Sequence, residues 1–492
     1  MSKPDSTSHT LLQLTTGELL IRQRSTGRGR PATHMTTTSR RALSGMSPID
    51  DGAGPAVAGH RVVLVTFAGR RDRMELLTRY VAEAMRRKLI GEWHVWNFSR
   101  NEADDRWLRE QFPAIGRSPD NQVYFPAGRV TVAGNARWRC RVRAGHDVHI
   151  AFGPHRGDGD APAYEFVIGG WSNQRTVLRH IDNRDLLVRD HDDRTNRRPP
   201  IATASTPGIM SGNAFRDIEL SIDPTGVGLS VDGAEIIDNR TPVPAGMYDV
   251  QVKTGYGSDG EWRFPGVTEY LYNTDGPGWG QVYDLYSAHA QYYADSVFLK
   301  CDDDIVYLQL DKLADFLRFR IDQQRYFLVT ANVVNNNVCA YYQQQSGAIP
   351  ASLMTLELPP GGFRGSLWES HELATRLHNH FLDNPDAFEQ NSTAPIPWSE
   401  RLSINFVAWL GRDLSYMSAI SGDGDDERIL SVDIPSYLKR PNCIFPGFVA
   451  SHLSYFSQEA AMDTATLMSR YRRLAAERGL PPPERSTERA GR

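Results

Sequence analysis

The segment Phe298-Leu-Lys-Cys-Asp302-Asp303-Asp304-Ile305-Val-Tyr-Leu308 places three consecutive carboxylates between two apolar runs, and each run is typical of a buried β-strand. Adjacent like charges repel and lose hydration, so they persist where a cation neutralises them or in a solvated loop. Asp302 and Asp304 fall on the same side of an extended segment. We therefore expect a metal site with oxygen ligands suited to Mg²⁺ or Mn²⁺; the alternative is a solvated acidic turn.

Composition and charge limit the classes of function. The chain has 492 residues, enough for two or three domains, and a formal net charge of -4, which predicts no binding to nucleic acid. Its four cysteines lie far apart without metal-type spacing, which favours a reducing cytoplasm. No apolar run is long enough to span a membrane. We expect a cytoplasmic protein, a location compatible with peripheral contact at the inner face of the membrane.

The texture of the sequence changes along the chain and predicts four parts. Residues 1–59 are rich in Ser, Thr, Arg, Gly and Pro and read as a disordered leader. Residues 60–118 and 267–478 have alternating strand and helix patterns and form one discontinuous α/β domain. Residues 119–266 consist of short alternating strands, which predicts an inserted all-β sandwich. Residues 479–492 form a flexible, Pro-rich and charged tail.

A strand, a helix and a second strand follow one another between Val62 and Phe98. This order predicts a right-handed βαβ unit in a parallel sheet, with ligands at the carboxyl ends of its strands. Thr66, Phe67 and Arg70 lie at one such end and Arg100 at the next, so they are candidates for contacts to a bound ligand, which would be the donor under the resemblance given below. Arg70 and Arg100 could equally be surface arginines.

Six short motifs in the α/β part, taken together, resemble those of GT-A glycosyltransferases of the bacterial surface-polysaccharide type. The motifs are Val65-Thr-Phe-Ala-Gly-Arg70, Trp96-Asn-Phe-Ser-Arg-Asn101, Lys300-Cys-Asp-Asp-Asp-Ile-Val-Tyr307, Asn332-Val-Val-Asn-Asn336, Asp425-Asp-Glu427 and Ala450-Ser-His452. The resemblance implies a GT-A fold, Rossmann-like with a mostly parallel sheet. It also implies transfer of a sugar from a nucleotide diphosphate sugar, with a UDP-sugar favoured, to a glycan or lipid-linked acceptor.

The same resemblance implies roles for the acidic segment and for a histidine. Asp304 would be the principal metal ligand, with His452 as the second ligand. Asp302 would serve the metal or the donor ribose, and Asp303 would point to the opposite side of the strand and assist the donor. A histidine beside apolar residues can equally be a satisfied core residue.

The resemblance also implies a general base and a sugar-binding group. Asp426, with Asp425 in reserve, would take the proton from the acceptor in an inverting transfer. The alternative is that these carboxylates stabilise a helix N-terminus. Asn332, Asn335 and Asn336 could hydrogen-bond sugar hydroxyls or simply close a turn.

The inserted part resembles the farnesoic acid O-methyltransferase-like domain. Its motifs are Asp147-Val-His149, Tyr164-Glu-Phe-Val-Ile-Gly-Gly-Trp-Ser-Asn173, Arg179 and Thr254-Gly-Tyr-Gly-Ser-Asp-Gly-Glu-Trp262. Methyl transfer usually needs a glycine-rich loop that leads from a strand into a helix, and this β-rich stretch offers none. We therefore interpret it as a binding or structural module in which Trp171, Tyr256 and Trp262 stack on a ligand or belong to the core.

The sequence as a whole predicts a metal-dependent hexosyltransferase. Two alternatives are a non-catalytic glycan-binding or scaffolding protein and a metal-dependent hydrolase of nucleotide sugars or other phosphoesters. Methyl transfer rests only on a domain name and comes last.

Overall fold

The computed structural model describes residues 56–112, 114–118, 124–155, 163–181, 199–274, 278–390, 394–422, 424–480 and 482. The predicted leader therefore lies outside the described residues except for residues 56–59. The predicted tail lies outside them except for residues 479, 480 and 482. Within the described part, no helix is both long and apolar enough to cross a membrane.

Strands alternate with helices in the first and last parts of the described chain. In the middle part, from β4 to β16, the strands follow one another without a long helix between them. They are β1 Ala56–Val57, β2 His60–Ala68, β3 Glu92–Asn97, β4 Ile115–Ser118, β5 Phe125–Val132, β6 Ala136–Ala144, β7 Val148–Pro154, β8 Ala163–Gly169, β9 Arg175–Ile181, β10 Ala202–Ser205, β11 Ser211–Asp223, β12 Gly226–Val231, β13 Ala234–Asn239, β14 Gly246–Thr254, β15 Gly260–Arg263, β16 Glu269–Tyr272, β17 Ser296–Asp302, β18 Ile305–Leu308, β19 Val329–Val334, β20 Ile396–Trp398, β21 Phe406–Leu410 and β22 Asn442–His452.

Most of the helices lie outside the region of short strands. They are α1 Arg71–Arg86, α2 Glu102–Gln111, α3 Gly170–Asn173, α4 Gly280–Ala288, α5 Leu310–Asp322, α6 Asn337–Gln345, α7 Ser366–Glu369, α8 His371–Asp383, α9 Pro385–Glu389, α10 Asp426–Arg428, α11 Ile434–Leu438, α12 Phe456–Glu459 and α13 Thr464–Glu477.

The predicted strand–helix–strand unit between Val62 and Phe98 is present. β2 pairs in parallel with β3, and α1 connects them. α1 buries Met74, Leu77 and Val81 at helical spacing against the sheet. β17 pairs in parallel with the other side of β2, so that Asp302 lies beside Phe67 at the carboxyl ends of both strands. The acidic segment is therefore placed at the edge where parallel sheets bind ligands.

The prediction of a mostly parallel, Rossmann-like GT-A sheet is wrong. The larger sheet has 16 strands in mixed orientation, with the main order β13-β12-β11-β6-β15-β4-β16-β3-β2-β17-β21-β19-β22-β18. Among the described strands, parallel pairing is confined to the pairs β4–β16, β16–β3, β3–β2, β2–β17 and β19–β22. There are two physical reasons. β15 pairs antiparallel with both β4 and β6 and so joins the strands of the insertion to the parallel strands. In the predicted α/β part itself, β21 pairs antiparallel with β17 and β19, and β18 and β20 pair antiparallel with β22.

A second, antiparallel sheet of six strands has the order β10-β9-β8-β7-β14-β5. Alternate residues of its strands, such as Ile150, Phe166 and Val250, share a buried core with Val142 and Leu220 of the larger sheet. Apolar side chains at every second position are what a two-layer β-sandwich requires. The described residues between 124 and 263 thus contribute two facing sheets, one of which continues into the parallel strands.

A buried ionic network connects the two regions of the larger sheet. Glu261 of β15 accepts hydrogen bonds from Arg143 of β6 and from Arg263, the latter at 2.7 Å. Arg263 also lies 3.6 Å from Glu92 of β3, which in turn binds Arg61 of β2 at 3.1 Å. Burial raises the pKa of Glu261, but Arg263 and Arg143 outweigh this effect and hold the pKa below its usual value. The carboxylate is therefore ionised and neutralises the buried arginines.

Glu261→Ala is expected to destabilise the protein by about 3 kcal/mol or more, because it leaves Arg143 and Arg263 buried without their shared partner. The measurement is the free energy of unfolding in urea. Glu219→Ala is the matched control, since Glu219 pairs with two exposed arginines, Arg137 and Arg139, and should cost less than about 1 kcal/mol. Equal losses for the two variants would contradict a structural role for the network.

Candidate functional site

An open cavity of about 890 Å³ lies at the carboxyl ends of β2, β3 and β17. The structure brings to it eight of the residues that the sequence singled out. They are Phe67, Arg70, Arg100, Asp302, Asp303, Asp304, Asp426 and His452. The cavity is therefore the place where the sequence-predicted site residues converge.

Asp302, Asp304 and His452 form a cluster at the base of this cavity. Each residue offers one possible metal ligand, a carboxylate oxygen or an imidazole nitrogen, and these three atoms all lie within 4.8 Å of one another. The backbone fixes this arrangement, because Ile305 pairs with His452 across β18 and β22, and the Leu453 N–H donates to the Asp304 carbonyl at 2.9 Å. His452 Nε2 lies 3.1 Å from Asp304 Oδ1, whereas its buried Nδ1 has no hydrogen-bond partner among the described residues.

Asp303 points to a different set of partners. Arg70 donates from Nη2 to Asp303 Oδ1 at 2.5 Å, and the Gly69 N–H donates to Oδ2 at 2.8 Å. Burial raises the pKa of Asp303, and Arg70 only partly offsets this. Asp303 therefore attaches the end of β17 to the loop that follows β2.

Arg70 and Arg73 hold the carboxylate of Asp304 from the opposite side to His452. Asp304 Oδ2 accepts from Arg70 at 3.0 Å and from Arg73 at 3.2 Å. Burial raises the pKa of Asp304, but His452, Arg70 and Arg73 together hold it well below its usual range. Glu459 completes the group by accepting from both arginines, at 3.3 Å and 2.6 Å.

Asp302 has its own buried cation. Lys300 Nζ donates to Asp302 Oδ1 and, at 3.1 Å, to the Ile404 carbonyl, while Asn405 donates to Asp302 Oδ2 at 3.2 Å. Burial lowers the pKa of Lys300, but Asp302 and Asp426 raise it above its usual value. Lys300 is thus a charged ammonium group beside the acidic cluster.

We call the seven charged residues Asp302, Asp303, Asp304, Glu459, Lys300, Arg70 and Arg73 the floor cluster. When all are ionised, its four carboxylates exceed its three cations, and the cluster carries one net negative charge.

Asp426 lies on the wall of the cavity next to Lys300. Tyr283 of α4 donates to its Oδ2 at 2.8 Å. Burial raises the pKa of Asp426 above its usual value, against the opposing effect of Lys300. Its carboxylate is therefore a stronger base than that of an ordinary aspartate.

Thr66 and Asp425 do not line the cavity. Thr66 is buried and accepts a hydrogen bond from the Trp93 indole at 3.0 Å. Asp425 caps α10 by accepting from the Arg428 N–H at 3.0 Å and forms two hydrogen bonds with Arg401. The alternative prediction, that Asp425 and Asp426 stabilise a helix N-terminus, therefore describes the geometry of Asp425, whereas Asp426 lines the cavity.

The three predicted sugar-binding asparagines are buried away from the cavity lining. Asn332 accepts from Gln343 at 2.9 Å, Asn335 donates to Gln458 at 2.9 Å, and Asn336 caps α6. Asn335 also has a left-handed backbone with φ of 66°. These side chains form structural hydrogen bonds rather than a surface for sugar hydroxyls.

Sequence reasoning missed Lys300, Arg73, Glu459, Asn405 and Tyr455. Tyr455 packs its ring 4.5 Å from that of His452 and donates to Asn405 at 3.0 Å. For Lys300 a signal existed, because a lysine inside a buried strand two residues before an aspartate needs a negative partner on the same side. The others come from distant parts of the chain and carry no local signal.

The family model described as farnesoic acid 0-methyl transferase matches residues 119–265. This match covers less than half of the chain. No curated protein matches the sequence.

Among solved structures, the chain is similar to carbohydrate-binding module CBM66 from Bacillus subtilis at 13% identity, which covers 31% of this chain and 94% of that one with a TM-score of 0.20. Sheep galectin-11 in complex with glycerol matches at 11% identity over 29% of this chain and 99% of that one, with a TM-score of 0.19. The Caenorhabditis elegans galectin LEC-6 matches at 13% identity over 30% and 94%, with a TM-score of 0.20. No functional conclusion follows from TM-scores this low.

These findings correct the prediction from resemblance. The matching family model is of the farnesoic acid methyl transferase type, not a glycosyltransferase, and the sheet is mixed. The prediction of a GT-A fold and of a glycosyltransferase is therefore wrong, whereas a metal site at Asp302, Asp304 and His452 stays a prediction. The short motifs misled because each consists of residues, such as consecutive aspartates or asparagines, that also serve capping and ion pairing.

Arg70→Met is expected to destabilise the protein by about 3 kcal/mol or more, because the buried carboxylates of Asp303 and Asp304 lose their shared cation. Urea unfolding measures the loss. Arg100→Met is the control, since Arg100 is exposed on the same cavity, and we expect a change within about 0.5 kcal/mol. A loss for Arg70→Met as small as that of the control would show that the floor cluster does not depend on Arg70.

Proposed function

We propose that the cavity binds a phosphate ester or anhydride together with a divalent cation and hydrolyses it. The observation that carries the proposal is the convergence of Asp302, Asp304 and His452 within 4.8 Å at the base of the cavity. Two carboxylates and one imidazole suit Mg²⁺ or a first-row transition metal. The geometry of His452 supports the fit, because its Nε2 lies 3.1 Å from Asp304 Oδ1 and is the ring nitrogen that would join the two carboxylates as a ligand.

The charge of the floor cluster supports dependence on the cation. One net negative charge repels a phosphate, whereas a bound dication would make the cluster positive by one charge. The cation would supply charge stabilisation for a departing phosphate oxygen. Arg70 and Arg73 are committed to the carboxylates, so they position the ligand set rather than bind phosphate themselves.

The size of the cavity supports a ligand larger than inorganic phosphate. A volume of about 890 Å³ lies at the upper end of the range of small-molecule sites. Phe67 and Phe98 line one wall, with ring centroids 5.2 Å apart, and offer an apolar surface to a planar group. A nucleoside diphosphate, free or linked to a sugar, has the charge, the planar group and the size that these features fit.

Asp426 is the proposed proton acceptor. In hydrolysis, the oxygen of a water molecule forms a bond to phosphorus, the bond from phosphorus to the leaving oxygen breaks, and a proton leaves the water. Asp426 lines the cavity beside Lys300, and its raised pKa suits it to take this proton. Tyr283 fixes the orientation of the carboxylate.

Methyl transfer lacks a comparable observation. Within the described part of residues 119–265, the only helix is α3, which has four residues, so no helix N-terminus is available there to bind a nucleotide-like cofactor.

Nucleoside diphosphates should bind only in the presence of the cation. We expect calorimetric titration with uridine or adenosine diphosphate to give a heat of binding with Mg²⁺ and none with EDTA. Asp304→Asn should weaken Mg²⁺-dependent binding at least tenfold. Asp425→Asn is the control and should bind as the wild type does. Equal binding with Mg²⁺ and with EDTA would reject the proposed cation site.

Asp426→Asn should separate binding from chemistry. We expect unchanged Mg²⁺-dependent affinity but a rate of phosphate release lowered by about 10²–10⁴-fold, the usual scale for loss of a general base. The assay measures inorganic phosphate and nucleotide products from a panel of diphosphates and diphosphate sugars. Normal turnover by the variant would remove Asp426 from the chemistry. Absence of turnover by the wild type, with binding intact, would leave a binding protein.

A further inference from the structure

Tyr455 reaches two of the three proposed cation ligands, His452 directly and Asp302 through Asn405. Its ring centroid lies 4.5 Å from that of His452, at an interplanar angle of 43°. Its hydroxyl donates to Asn405 Oδ1 at 3.0 Å, and Asn405 Nδ2 donates to Asp302 Oδ2 at 3.2 Å. Tyr455 and Asn405 also line the cavity. One tyrosine therefore lies behind two ligands that belong to different strands, β17 and β22.

The carboxamide of Asn405 can take only one orientation between these two groups. An ionised carboxylate accepts hydrogen bonds and donates none, so Nδ2 of Asn405 must face Asp302. Oδ1 of Asn405 then faces Tyr455, whose hydroxyl proton must point towards it. The flipped amide would place its oxygen against the carboxylate. The hydrogen bonds therefore run in one direction, from the hydroxyl through the amide to the carboxylate.

The backbone holds Asn405 in register with Asp302. The Asp302 N–H donates to the Asn405 carbonyl at 2.9 Å. The next pair along the two strands, Cys301 and Phe406, lies opposite each other in β17 and β21. Asn405 is also buried, with 4% of its surface exposed. Its amide therefore reaches the carboxylate from a fixed position.

The start of α12 holds Tyr455 in place independently of the cation ligands. The Tyr455 N–H donates to Gln458 Oε1 at 3.0 Å, and Asn335 donates to the same oxygen at 2.9 Å. The Gln458 amide donates in turn to the Leu367 carbonyl at 2.7 Å, and Gln458 is fully buried. The core thus determines where the tyrosine lies, and the tyrosine can determine how the ligands are oriented.

We propose that Tyr455 and Asn405 are positioning residues, which orient Asp302 and His452 for the divalent cation without contacting it. This inference rests on the proposed function, because it concerns the same cation site. The Tyr455 hydroxyl fixes the carboxylate of Asp302 through the amide, and the Tyr455 ring limits rotation of the His452 imidazole. Loss of such an outer partner usually weakens metal binding by about 10–100-fold.

Titration of the full chain with Mn²⁺, without nucleotide, tests the positioning role. The electron paramagnetic resonance signal of free Mn²⁺ gives the dissociation constant. Tyr455→Phe keeps the ring and removes only the hydroxyl, and it should raise this constant about tenfold. Asn405→Leu removes the amide at similar volume and should raise the constant at least as much. The double variant should bind as Asn405→Leu does, because the hydroxyl acts on Asp302 only through the amide.

Tyr248→Phe is the matched control, since the Tyr248 hydroxyl also donates one hydrogen bond, to the Pro244 carbonyl at 2.8 Å, but lies in the sandwich. The control should bind Mn²⁺ as the wild type does. Melting temperatures in EDTA should fall by similar amounts in Tyr455→Phe and in the control. Weaker Mn²⁺ binding by Tyr455→Phe alone then separates positioning from a general loss of stability.

Three outcomes would overturn the inference, and they differ in what they say about the cation site. Unchanged Mn²⁺ affinity in Tyr455→Phe, with binding by the wild type, would remove the positioning role and leave the site intact. Losses of affinity that add up in the double variant would reject the path through Asn405. A wild type that binds no Mn²⁺ would reject the cation site of the proposed function and the positioning role with it.

Discussion

One guanidinium group, that of Arg70, neutralises the two buried carboxylates of the acidic segment, Asp303 and Asp304. It contacts Asp303, Asp304 and Glu459 together. Because Arg70 immediately precedes α1 and Glu459 belongs to α12, these contacts join the segment after β17 to both helices. Consecutive buried aspartates would otherwise repel one another and lose hydration without compensation. Because arginine remains charged at any accessible pH and offers donors in a planar fork, it can satisfy several carboxylates at once.

When all its groups are ionised, the floor cluster is short of one positive charge. Asp303 is satisfied by Arg70 and by the Gly69 N–H, whereas Asp304 also lies against His452, and Asp302 lies against Lys300. The structural pairs therefore fix the geometry, and the residual charge of the floor cluster favours the cation that we propose for the cavity.

The sequence was sufficient for local features and insufficient for long-range ones. The two strands around the aspartates, the strand–helix–strand unit and the convergence of Asp302 with Asp304 follow from periodicity and strand geometry. The mixed sheet does not, because it depends on long-range antiparallel pairs: β15 with β4 and β6, β21 with β17 and β19, and β18 and β20 with β22. Nor could the sequence show that Arg70 is committed to carboxylates, or that Asn335 bonds Gln458, because these partners lie far apart in the chain.

The most direct test of the account is to locate a cation in crystals of the protein grown with Co²⁺, by anomalous scattering at the cobalt edge. The account predicts a peak between Asp302, Asp304 and His452, at about 2.0–2.3 Å from one ligand atom of each, with Arg70 still bound to Asp303. A fully ordered site without an anomalous peak, in which His452 remains paired with Asp304, would contradict it.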